Sequence, residues 1–63
     1  MDARNKVEAL LSRTVERGAS LHEAHTAAVI AGKLARKNGL ALLVARARVQ
    51  EFKAWVALQR AAA

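Results

Sequence analysis

Residues 20–40 read SLHEAHTAAVIAGKLARKNGL, and this stretch decides the fold. It opens on Ser20-Leu21-His22-Glu23, the spacing of a capping box, in which Ser20 accepts from the Glu23 amide and the Glu23 carboxylate accepts from the Ser20 amide. Leu21, Ala24, Ala27, Ala28, Ala31, Leu34 and Ala35 then share one face at helical spacing. Arg36 and Lys37 suit the negative end of a helix dipole, and Gly39 is a residue that commonly closes a helix. The spacing therefore predicts a helix over about 21–38. A stripe this rich in alanine lets a neighbouring axis approach to the lower end of the usual separation of roughly 8–10 Å, so a tight antiparallel pair is expected. Gly32 interrupts the interior at about 1 kcal/mol against alanine, which points to close backbone approach there or to a tolerated substitution.

Upstream, Val7, Leu10, Leu11 and Thr14 fall on one face with Val15 at its margin, predicting a first helix over about 3–17. Asp2 can cap its start, Arg17 complements the dipole at its end, and Gly18 supplies a left-handed stop. Downstream, a third helix over about 40–60 carries two apolar faces. One holds Ala41, Ala45, Val49, Phe52 and Val56; the other holds Leu40, Leu43, Ala47, Ala54, Trp55 and Leu58. A surface helix of a small domain needs only one such face. One face is therefore expected to pack on the first two helices and the other on a partner, with a second copy the simplest choice and Phe52 and Trp55 suited to the interface core. Uneven wrapping of the third helix is the plainer alternative. Proline is absent and no stretch alternates like a strand. The expected fold class is all-α, a single domain over 1–63 made of a three-helix unit, in which a helical hairpin and a longer third helix dimerise.

Leu34-Ala35 followed by Gly39-Leu40 also looks like the centre of a helix-turn-helix. Asn38 and Arg48 stand where that motif wants apolar residues, however, and Ala41 offers no cap.

Lys6-Val7 with Leu10-Leu11, then Glu23-Ala24 with Ala27, Ala31, Leu34, Lys37 and Gly39-Leu40, together resemble the short helical domain of unknown function 2786. That family opens K-I/V-x-x-L-L, continues through E-A-x-x-A-x-x-x-A-x-x-L and ends near K-x-G-L. The resemblance spans roughly residues 6–40 and departs at Ser12-Arg13-Thr14-Val15-Glu16, where the family is usually alanine-rich. It implies a helical hairpin and transfers no activity.

With 63 residues the chain has room for one domain, which buries only about 60% of its unfolded surface. Chains this small are commonly stapled by disulfides, metals or oligomerisation. The absence of cysteine removes disulfides and thiolate metal sites together, leaving a second copy or a partner surface. Net charge is +6, from 11 Lys+Arg against 5 Asp+Glu. That balance favours an acidic partner such as nucleic acid, an anionic protein face or a membrane surface, against the plainer reading of a charged surface that keeps the chain soluble. The first residues carry charge without an apolar run behind it, unlike a secretory signal, and the apolar run Leu40–Ala45 falls far short of the roughly 20 residues a spanning helix needs. A cytoplasmic protein of bacterial, phage or mobile-element type is expected.

Little here suggests catalysis. His22 and His25 lie three residues apart on the second helix without a third ligand, and zinc sites draw on three or four. Glu8, Glu16, Glu23 and Glu51 are scattered and imply no acid–base pair. Gly18, Gly32 and Gly39 match no phosphate-cradling spacing, so neither metal nor cofactor is expected. The basic residues are more informative. Arg46, Lys53 and Arg60 recur every seven residues along one stripe of the third helix, and Lys33, Arg36 and Lys37 cluster at the end of the second. Where the two groups align, they would track a phosphate backbone without reading bases. The primary expectation is a nucleic-acid-associated accessory or regulatory protein. The alternative is a protein-interaction module or inhibitor, docking on a larger protein such as a nucleic-acid-binding protein through the spare apolar face with Leu43, Trp55 and Leu58, with Phe52 a further interface residue. Membrane-surface binding is the weakest reading, because the apolar residues of the third helix are split over two faces.

Overall fold

The computed structural model describes residues 2–62. The chain is all-helical: α1 spans Ala3–Leu11, a short 3-10 turn covers Val15–Arg17, α2 spans Leu21–Lys37 and α3 spans Ala41–Ala62. No strand occurs among the described residues. None of these helices is long and apolar enough to cross a membrane.

α1 starts as expected, with Asp2 Oδ1 accepting from the Arg4 amide at 3.1 Å. It ends at Leu11, six residues short of the expected Arg17. The Ser12 hydroxyl donates to the Ala9 carbonyl at 2.6 Å, the kind of local side-chain bond that competes with helix propagation. The β-branched pair Thr14-Val15 is then a poor continuation: Thr14 turns extended (φ −115°, ψ 163°). Gly18, with φ +96°, therefore closes the 3-10 turn and not α1.

α2 has both of its expected ends. The Glu23 amide donates to Ser20 Oγ at 3.1 Å and the Ser20 amide donates to Glu23 Oε1 at 2.9 Å, completing the capping box. At the other end Gly39 adopts φ +67°, its amide donates to the Arg36 carbonyl at 3.2 Å, and the Leu40 amide donates to the Ala35 carbonyl at 2.9 Å. This is a Schellman motif, whose usual hydrophobic contact is made by Leu40 packing on the core cluster that contains Ala35. Asn38 Nδ2 adds a bond to the Leu34 carbonyl at 2.8 Å.

The chain folds back at Gly39, and α3 returns along α2. A Cβ built at Gly32 would lie 3.6 Å from Ala47 Cβ, while at the far end Ala24 lines one groove with Ala54 and His25 another with Trp55. The two helices thus stay side by side as an antiparallel hairpin, not the splayed pair of a helix-turn-helix. α1 lies mainly against α2. The core unites Val7 and Leu11 of α1 with Ala31 and Ala35 of α2 and Leu43 and Ala47 of α3, flanked by Leu10, Leu34, Leu40 and Val44. Six of the nine buried hydrophobic residues are alanine, so the elements are held by close axis approach more than by bulky side chains. The three-helix unit measures 38 × 19 × 13 Å along its principal axes.

Candidate functional site

α3 packs on the rest of the molecule along one side, which leaves it an outer face as well as an inner one. The inner face carries Leu43, Ala47 and Ala54, all buried, with Leu40, Val44 and Leu58 half-buried around them. Across from Gly32 of α2 the inner face presents Ala47, whose Cβ lies 3.6 Å from where a Cβ at Gly32 would stand. The outer face is therefore the other apolar stripe. Leu42 is 83% exposed, Val49 53%, Phe52 64% and Trp55, at its edge, 49%. The Phe52 and Trp55 rings lie 6.3 Å apart between centroids at an interplanar angle of 26°.

This corrects one expectation about the interface. Leu43 is 6% exposed and belongs to the core, so it cannot lead a partner contact; Leu58 sits half-buried on the inner margin. Phe52 and Trp55 do stand at the surface. Leu42, the most exposed large apolar residue of α3, was missed in the sequence, although its spacing of three and seven residues from Ala45 and Val49 places it in the same stripe.

Cations border this face. Arg46, Lys53 and Arg60 are exposed along the margin nearer α1. Arg46 Nη1 lies 3.7 Å from Glu8 Oε1, with both side chains about half exposed. A pair so open to water contributes at most about 1 kcal/mol. Lys53 shares a groove with Arg13, Thr14 and Glu16 of the α1–α2 connection. Arg48 lies on the opposite margin, in a groove with His25, Glu51 and Trp55. Lys33, Arg36 and Lys37 are also exposed, but on α2, where Lys33 and Lys37 fall on the side of the helix away from its buried Ala28, Gly32 and Ala35. Lys33 and Lys37 therefore turn away from α3 and do not line up with Arg46, Lys53 and Arg60.

Glu23 has its carboxyl held below the usual carboxylate range, first by the Ser20 amide donating to it, then by the Ser20 hydroxyl, with Arg13 adding a favourable charge. This is a capping effect on a fully exposed group. His22 is exposed and His25 half-buried, and no group of three or more metal-ligand side chains gathers among the described residues.

Comparison of the chain with protein-family models, with curated proteins and with solved structures finds no match.

Proposed function

We propose that this protein is a non-catalytic helical docking module whose working surface is the outer face of α3. One observation carries the reading: Leu42, Val49 and Phe52 stand exposed on the side of α3 away from its core residues, with Trp55 at the edge of that face. Single exposed apolar residues are ordinary on a protein surface, but a contiguous apolar patch rimmed by charge marks an interaction site. Aromatic residues at the centre of such a patch are the usual energetic anchors. The fold does not need these side chains, since its core closes without them. Immobilised protein should retain a partner that a Leu42→Glu/Phe52→Glu variant of unchanged helicity releases. Equal retention by both proteins would remove the reading.

A second reading has its own support. Net charge is +6, and Arg46, Lys53 and Arg60 form a cationic margin along α3 that suits contact with nucleic-acid phosphates. Titration of labelled duplex and single-stranded DNA or RNA at low and near-physiological salt tests it. Affinity that falls steeply with salt and collapses on Lys53→Glu/Arg60→Glu would favour phosphate contact, and an unchanged titration for that variant would exclude it.

A further inference from the structure

We infer that the occupant of the α3 outer face is an amphipathic helix of another chain whose flanking positions are acidic, laid along Leu42 to Val56 as a short two-helix coiled coil. The inference rests on the docking reading above and adds to it the partner's chemistry.

The spacing comes first. Leu42, Ala45, Val49, Phe52 and Val56 alternate three and four residues apart, the repeat of a coiled-coil seam, and they run about 21 Å along the helix. Four of these five are exposed and Val56 is half-buried, so the seam is open over two heptads. A helix, and not a strand or loop, is the element that matches such a seam with knobs in holes.

The flanks choose the partner. Directly after Ala45, Phe52 and Gln59 come Arg46, Lys53 and Arg60; directly before Leu42, Val49 and Val56 come Ala41, Arg48 and Trp55. These are the positions that face a partner's flanks across a seam, and none is acidic. Glu51, the one acidic residue of α3, lies half-buried toward the α2 side, in the groove with His25. A second copy is thereby disfavoured in both directions. Packed parallel, Arg48 of one copy meets Lys53 of the other; packed antiparallel, Lys53 and the arginines meet their own kind. Like charges across a seam are a device against the wrong partner, and acidic flanks convert the same positions into attractive ones. Trp55, on the margin, is the only tryptophan in the chain and reports on the face when it is covered.

The test uses the full chain and three synthetic peptides: a heptad peptide with leucine at the seam and glutamate at the flanks, its lysine-flanked twin, and a shuffle of the first that keeps composition without the seam. Trp55 emission follows binding, and sedimentation follows self-association. The glutamate-flanked peptide should shift the emission to the blue and bind roughly tenfold or more tightly than its twin and the shuffle, the scale of several exposed ion pairs acting together. Lys53→Glu/Arg60→Glu leaves two cations and two anions on the flanks and should erase the preference between the two heptad peptides, and Val49→Asp should abolish binding with helicity retained. Equal binding of the two heptad peptides refutes the acidic partner and leaves docking intact. Failure of both, while immobilised protein still holds a partner through this face, shows that the occupant is not a helix; failure of both with no partner retained removes the docking reading as well. Self-association that Val49→Asp abolishes means that a second copy covers the face, and overturns the inference. A Trp55 response to duplex DNA with neither heptad peptide active overturns it too.

Discussion

Replacing Gly32 by alanine should stabilise this protein. Gly32 is buried in the interior of α2 with ordinary helical backbone, since only Gly18 and Gly39 have positive φ. Alanine in such a position is favoured over glycine by about 1 kcal/mol, from backbone entropy alone. The new methyl would meet Ala47 Cβ at 3.6 Å, an ordinary van der Waals contact, so nothing must move to admit it. Its burial adds a further contribution of up to about 0.8 kcal/mol. For a domain of this size a gain of about 1 kcal/mol raises Tm by roughly 4–8 °C. Thermal and urea unfolding followed by far-ultraviolet circular dichroism would read it directly. Gly32→Val is the companion, because its extra methyls would have to displace Ala47, and it should lower Tm. A Tm that is unchanged or lower for Gly32→Ala would refute the reasoning. It would mean that α2 and α3 approach more closely than the Ala47 contact implies, and that glycine is required there.

Three further outcomes are expected. Gly39→Ala forces a side chain into φ +67° and should cost about 1–2 kcal/mol, read as a lower urea midpoint with an unchanged slope. Leu43→Ala empties the largest core position of α3 and should cost about 2–5 kcal/mol, while Phe52→Ala, on the outer face, should stay within about 0.5 kcal/mol; equal losses would contradict the inner and outer assignment. The capping carboxylate of Glu23 has a lowered folded-state pKa, so its contribution is complete above the unfolded glutamate range and is lost as pH falls through the lower folded value. A pH series of melts should show that acid loss in the native chain and less of it in Glu23→Gln, where an amide can keep the box without titrating.

The parts of this fold that could be read from sequence are those decided within a few residues. Ser20 and Glu23 set one end of α2, and Gly39 the other, because each motif closes its own hydrogen bonds locally. The early end of α1 was hidden by an apolar pattern that continues through Thr14 and Val15, while a single Ser12 hydroxyl and two β-branched residues decide otherwise. On α3 the two apolar stripes were both visible, but their assignment was not. Each stripe carries two alanines, Ala41 and Ala45 on one and Ala47 and Ala54 on the other, so neither hydrophobicity nor size alone separates them; the packing that sets Ala47 against Gly32 puts Leu43 inside with it. The basic residues are countable from the sequence, but that Lys33 and Lys37 turn away from α3 depends on how α2 is rotated, which packing alone decides.

The unequal attachment of the three helices bears on how the molecule opens. α1 has nine residues, fewer than the roughly 12–15 at which an isolated helix becomes even marginal, and it enters the buried core through Val7 and Leu11 alone. The α2–α3 pair is joined by a tight local turn and makes the more extensive contact, so it forms the more cooperative unit. In hydrogen exchange, α1 amides should therefore open by a sub-global fluctuation below the free energy that protects the hairpin. A partner on the outer face of α3 would touch neither Val7 nor Leu11, and its one link to α1 would be Arg46, which also pairs with Glu8. Occupancy should then deepen protection of the hairpin amides more than that of α1.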